Sequence, residues 1–205
     1  GIIGGLYSST ATISVLARKS RKASEQEATD YVAAMLLAVS MMFLRFMILI
    51  LIFSREIFLS IYPYLLTMAV VAAIVAWFIH SRQKRPEGQS AETEEDDSSN
   101  PLEFKVALIF AILFVIFTFL THYTLVYAGT GGLNLLSFVS GFSDITPFIL
   151  NLLQNTGSVA ALIITACSMQ AIISNIMVNM FYALFFAGKG SKLRPWILGG
   201  FGVVI

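Results

Sequence analysis

The chain has 205 residues, 57% of them apolar and 12% charged, with a formal net charge of +1. Soluble domains carry about one quarter charged residues, so a water-soluble core does not account for this composition, and a charge so near zero leaves no basic footprint for nucleic acid. The apolar residues come in unbroken runs, four of which reach the roughly 18 to 25 residues that cross about 30 Å of hydrocarbon as a helix: Tyr31 to Phe53, Phe58 to His80, Phe104 to Tyr127 and Val159 to Phe186.

In chain order, the sequence begins Gly1-Ile2-Ile3-Gly4-Gly5 with no initiator Met and no charged n-region, so it reads as a piece of a longer protein without a visible signal peptide. Ser8, Ser9, Thr10, Thr12 and Ser14 then form a hydroxyl cluster beside Gly4 and Gly5. At a helix start such hydroxyls cap free N–H groups; alternatively the same amides and hydroxyls hold an ion at the positive end of a half-helix. A basic group follows, Arg18 to Lys22, before the first long run.

Arg45 is the one basic residue well inside a transmembrane run. It stands about eight residues from the nearer helix end, roughly 12 Å at the helical rise, farther than a side chain readily snorkels. An internal acceptor is therefore expected. Residues 81–100 are rich in Pro, Gly, Ser and acidic residues, basic first (Arg82, Lys84, Arg85) and acidic later (Glu92, Glu94, Glu95, Asp96, Asp97). This composition reads as a solvated loop dividing two halves.

After the third run, Gly132 to Asn155 is interrupted by Gly141, Asp144 and Pro147. Interruptions free backbone groups that must line a cavity or be packed in protein. The excess of Lys and Arg expected on the cytoplasmic side falls in three places, Arg18 to Lys22, Arg82 to Arg85 and Lys189 to Arg194. All three share a side if the interrupted segment enters and leaves on one face as a re-entrant pair of half-helices, which is the expected topology. If it spans fully, the third lies outside.

Gly5-Leu6-Tyr7-Ser8-Ser9-Thr10 and Gly141-Phe142-Ser143-Asp144-Ile145-Thr146 share a Gly, an apolar residue and a Thr at matching spacing, and each precedes a long apolar helix. Pro63-Tyr64 and Pro195-Trp196 stand at comparable places later in each half. With the re-entrant topology this makes an inverted repeat, in which broken helices meet near the midplane and build a site. The expected architecture is thus an all-α, polytopic transmembrane helix bundle in one membrane domain, 1–205. Its parts are a first half-repeat 1–80, a solvent linker 81–101, a connecting helix 102–130 and a second half-repeat 131–205.

Asp144 is the one acidic residue inside an apolar segment. Charges in the membrane face a bundle interior or a wet cavity and have a partner, so Arg45 and Asp144 either pair to hold the bundle together or form a site. In a site, Arg45 would hold an anion or carboxylate and Asp144 a cation or proton. Thr146 lies beside Asp144. Asn175 and Asn179, four apart, share one helix face with Ser168 upstream, as helix glue or as ligand-holding groups. Cys167, Met41 and Met42 read as packing residues. His80 and His122 have no second ligand at metal spacing, so no metal site is expected, nor any cofactor. No nucleophile elbow, phosphate loop, HExxH or paired carboxylate pattern supports an enzyme.

Several stretches resemble one family: Gly4-Gly5-Leu6-Tyr7-Ser8-Ser9-Thr10-Ala11-Thr12, Leu16-Ala17-Arg18-Lys19-Ser20, Met42-Phe43-Leu44-Arg45, Asn100-Pro101-Leu102-Glu103, Ser140-Gly141-Phe142-Ser143-Asp144 and Ser174-Asn175. They resemble the C-terminal domain of bacterial and archaeal MgtC/SapB-related membrane proteins, domain-of-unknown-function family 4010. The resemblance implies a separate membrane domain ahead of this one and supplies no settled activity. Ile145-Thr146-Pro147 departs from the acidic or small residues more usual after the Asp, so no second carboxylate carries over to these positions.

Two functions are expected to compete. One is a transporter or channel for a small ion or solute, with Ser8, Ser9, Thr10, Arg45, Asp144, Thr146, Asn175 and Asn179 at a midplane site. The other is a non-transporting membrane module that assembles with itself or a partner. Either would sit as a multi-pass protein in the cell (inner) membrane, with the lipid bilayer, an unidentified small solute and a second copy of itself as the partners in view.

Overall fold

The computed structural model describes residues 9–21, 23, 25–81, 101–157, 159–187 and 193–205. Among the described residues every regular element is an α-helix: α1 Ser9–Ser20, α2 Glu25–Phe53, α3 Arg55–Ser81, α4 Pro101–Ser140, α5 Thr146–Gln154, α6 Ala161–Ala187 and α7 Arg194–Val204. The apolar runs dictate this outcome, because hydrocarbon offers backbone N–H and C=O groups no partner and a helix satisfies its own. Four helices are long and apolar enough to cross a membrane: Ala28–Phe53, Arg55–Ser81, Leu108–Ser140 and Ala161–Ala187. The chain is a multi-pass membrane protein.

The helices depart from the apolar runs at their edges for a physical reason. α2 starts at Glu25, ahead of Tyr31, and α3 at Arg55, ahead of Phe58; at the start of α3 the polar Arg55 and Glu56 are exposed, as polar residues at a helix end still reach water. Arg18 and Lys19 of the first basic group lie in the last turn of α1. The third run does not stop at Tyr127: helical structure continues to Ser140 across a kink at Gly129, whose φ of 58° and ψ of −147° suit glycine alone. A Cβ on Gly132 would lie 2.5 Å from that of Ala128 and 2.7 Å from Cγ2 of Thr124, so the arm 130–140 folds closely back on the arm 101–128. The second half also adds a short helix, α7, that the sequence reading did not anticipate. It opens on Pro195 in its first turn, where the missing N–H costs nothing.

Contacts fix the direction of each element. Arg18 lies 4.4 Å over the Phe186 ring and His80 Nδ1 stands 2.9 Å from Asp30 Oδ1. One end of the bundle therefore gathers the C-termini of α1, α3 and α6 and the N-terminus of α2. In the second half, Cys167 meets Asn134, Ser137 meets Gln170 and Asn175 meets Gly141. These numbers rise together, so the arm 130–140 runs parallel to α6. α5 then leaves the break in the other direction along the first arm of α4, with Phe148 against Phe117 and Asn151 bonded to Thr118 at 2.9 Å.

The core runs between α2 and α3 and on through α1, α5, α6 and α7. Ala69, Ala72 and Ala76 of α3 are buried and let α2 approach closely enough for Ser40 Oγ to donate to the Ala69 carbonyl at 2.9 Å, the small-residue packing usual between membrane helices. The outer surface is apolar: Leu162 is 80% exposed and Phe185 78%, which suits lipid and would be costly in water. Trp77 and Trp196 lie near the end that holds Ser81 and Arg194, and Tyr62, Tyr64, Tyr123 and Tyr127 toward the opposite end. That is the distribution of an aromatic belt at each membrane interface.

Candidate functional site

The site forms where two short helices begin. Between α4 and α5 the chain breaks at 141–145, and α6 closes the break from the side. Gly141 is required there, because a Cβ would fall onto the Ser174 side chain and within 2.8 Å of the Asn175 amide nitrogen. Loss of helical pairing leaves carbonyls without partners. Ser174 Oγ donates to the Phe138 carbonyl at 2.7 Å, and Asn175 Nδ2 to those of Gly141 at 3.0 Å and Ser143 at 3.3 Å. Gly141 and Asn175 thus place the break against the middle of the 27-residue α6.

From the position before the N-cap, Ile145, Asp144 holds the start of the helix that follows. Its Oδ1 accepts the Thr146 N–H at 3.0 Å and the Thr146 hydroxyl at 2.7 Å, and Pro147 fills the first turn of α5. From α2, the Arg45 guanidinium donates Nη2–H to Thr146 Oγ1 at 3.0 Å and lies 5.1 Å from the Phe46 ring centroid. Thr146 therefore accepts from the cation and donates to the carboxylate.

A direct Arg45–Asp144 pair, one of the two expectations, is absent; among the described residues the ion pair is His80–Asp30. The reason is local. Asp144 Oδ1 is committed to the α5 N-terminus, which holds the carboxylate over the helix end and leaves the hydroxyl to span the gap.

The first half supplies the opposite wall. α1 begins at Ser9, whose hydroxyl donates to Met42 Sδ at 3.2 Å, and Ser14 Oγ donates back to the Thr10 carbonyl at 2.9 Å. Ser9, Thr10, Ala11 and Ser14 of α1 and Met42 and Arg45 of α2 face Phe142 to Ile145 of the break and Asn175 of α6 across a cleft of about 310 Å³. The N-termini of α1 and α5 both open on this cleft, and the two helices run away from it in opposite directions.

Of the residues singled out in the sequence, Ser9, Thr10, Arg45, Asp144 and Asn175 line the cleft. Thr146 bonds both charges at its edge. Ser8, with Gly4 and Gly5, lies outside the described residues. Asn179 is not brought to the cleft. It is fully buried and donates Nδ2 to Asn175 Oδ1 at 3.1 Å, steadying the residue that steadies the break. Its own Oδ1 has no partner.

Met42, read as packing, belongs to the site. The available signal was its position three residues before Arg45, which puts both on one helix face. Cys167 is buried with its thiol toward Asn134 Oδ1 at 3.4 Å, a packing position. His80 lies at the far end of α3 beside Asp30, and His122 stands edge-on to Tyr123. Among the described residues no three His, Cys, Asp or Glu side chains gather at metal distance.

A model of the family described as "Domain of unknown function (DUF4010)" matches residues 1–187. An "Uncharacterized protein" of Aquifex aeolicus (strain VF5) is 26% identical over 197 residues, covering 94% of this chain and 83% of that protein. No solved structure matches. The family match agrees with the resemblance drawn from the sequence motifs; its description does not extend to MgtC or SapB.

Proposed function

The chain belongs to the DUF4010 family, and from its site we propose that it is a transporter or channel for a small ion or solute, bound at the midplane where α1, α5 and Arg45 meet. One observation carries this reading: a cleft lined by Arg45 and Asp144 lies at the meeting point of two short helices. Helices of 12 and 9 residues span about 18 and 14 Å at the helical rise, roughly half of the hydrocarbon each. Broken helices of this kind line cavities.

The directions of the elements support the finer topology. α4 arm 130–140 and α5 form a re-entrant hairpin that enters and leaves on the face opposite the basic segments, and those segments are cytoplasmic. α1 leading into α2, and α5 leading into α6, are the corresponding parts of two inverted repeats, with arm 101–128 of α4 as the connection between them.

The test is flux in proteoliposomes across a panel of inorganic ions and small organic solutes. Flux of the transported member falls at least about tenfold in Arg45→Ala and in Asp144→Asn, each of which removes a charge-assisted contact, while both variants keep the wild-type melting temperature within a few degrees. Unchanged flux in both removes the proposed site. A non-transporting module requires instead that no panel member moves, with the same polar groups serving only to pack the helices.

A further inference from the structure

The charges on the cleft walls narrow the class of solute, on the premise that the cleft is the transport site. We infer that the cleft takes a small zwitterion with an aliphatic portion, of the α-amino acid type, its carboxylate against Arg45 and its ammonium against Asp144. Both groups line the same cleft of about 310 Å³, and neither cancels the other by direct contact. The Thr146 hydroxyl stands between them, accepting from Arg45 at 3.0 Å and donating to Asp144 at 2.7 Å.

Asp144 spends one carboxylate oxygen, Oδ1, on the α5 end, and its second oxygen remains open in an exposed residue. A guanidinium presents its N–H donors in a planar fork, and that fork matches the geometry of a carboxylate.

A purely anionic solute would meet the Asp144 carboxylate, and a purely cationic one would meet Arg45 and the positive ends of α1 and α5. Like charges brought together where water is scarce repel strongly. A solute with both signs, spaced by one or two carbon atoms, places each against its opposite. Ala11, Met42, Phe142 and Ile145 give the rest of the wall an apolar part beside its hydroxyls and the Asn175 amide, and that part suits a short aliphatic group. The volume lies at the lower end of the range for small-molecule pockets, which favours a solute of few heavy atoms.

The experiment uses the full chain in lipid nanodiscs and isothermal titration calorimetry. The probes are glycine, L-alanine, L-valine and L-leucine, each compared with the amine and the carboxylic acid left when one charged group is removed; for L-valine these are isobutylamine and 3-methylbutanoate. At least one amino acid is expected to bind about tenfold or more tighter than both of its single-charge relatives, since each loses one charge-assisted contact. In Asp144→Asn the carboxylate relative rises to within about threefold of the amino acid, and in Arg45→Ala the amine does, because each variant removes the group that told them apart.

Binding of an amine or acid as tight as its amino acid overturns the inference, and so does binding of none of the four amino acids. A second measurement separates this failure from failure of the site itself. Ser143→Cys, in a Cys167→Ser background, is exposed to a charged, water-soluble thiol reagent. Labelling without amino acid binding rejects the solute class and leaves a wet site in place, whereas a variant that stays unlabelled rejects both.

Discussion

At the scale of single residues, Thr146 is the hinge of the site's chemistry, because one hydroxyl serves a cation as acceptor and a carboxylate as donor. Thr146→Val keeps the shape and deletes both bonds. Hydrogen bonds to charged groups are worth about 1.5 to 3 kcal/mol, so solute flux is expected to fall by about tenfold or more while Thr146→Ser stays within about threefold of wild type; equal flux in Val and Ser variants would show that the bridge is idle. Asn175 plays the structural counterpart. Asn175→Leu strands the buried Gly141 carbonyl, at a cost of about 1 to 3 kcal/mol, and the part-buried Ser143 carbonyl, and a fall in thermal stability in detergent larger than that of Asn179→Leu is the outcome that checks it. Both asparagines stood out in the sequence as a pair on one face. Only Asn175 touches the break, since Asn179 lies a turn farther along α6 than the break reaches, and spacing along a helix does not say where a partner's carbonyls will be.

At the scale of elements, the long apolar runs made the spanning helices readable directly, and the Gly141, Asp144 and Pro147 interruptions located the break between α4 and α5 to within a few residues. The continuation of α4 past Tyr127 was not read: Gly129-Thr130-Gly131-Gly132 is a glycine cluster that marks a break, but that helical structure resumes beyond it after a reversal follows only from the backbone angles of Gly129, φ 58° and ψ −147°. α7 was missed for a similar reason: with Gly199, Gly200 and Gly202 in eleven residues its propensity is poor, and packing of Gly200 against Leu36 supplies what propensity does not. Two glycines carry predictions here. Gly129→Ala puts a Cβ into a left-handed conformation at a cost of about 1 to 3 kcal/mol. Gly141→Ala forces the break away from Ser174 and Asn175, an overpacking cost of about 1 to 3 kcal/mol. Both lower the melting temperature, but Gly141→Ala alone is expected also to impair solute movement by shifting Asp144, so flux measured beside melting separates a strained turn from a displaced site.

For the whole molecule, the membrane assignment followed from composition, and the site's two charges from their isolation among apolar residues. What the sequence left open was which pieces face one another, because the meeting of α1 with the break joins segments more than 100 residues apart. Topology is open to direct measurement: in a bacterial host, alkaline phosphatase fused after residue 90 or residue 190 is expected to be inactive and after residue 157 active. Activity at 190 would mean that the segment 132–155 crosses the membrane fully. The packing also divides the walls of the cleft between α6 and α2. Asn175 grips the break from α6 through two bonds and Ser174 adds a third, whereas Arg45 meets it from α2 at the Thr146 hydroxyl. A rocking movement that kept Asp144 with α6 and left Arg45 with α2 would draw the two charges of the cleft apart, so that opening the cleft and letting go of a zwitterion held as proposed would be the same event.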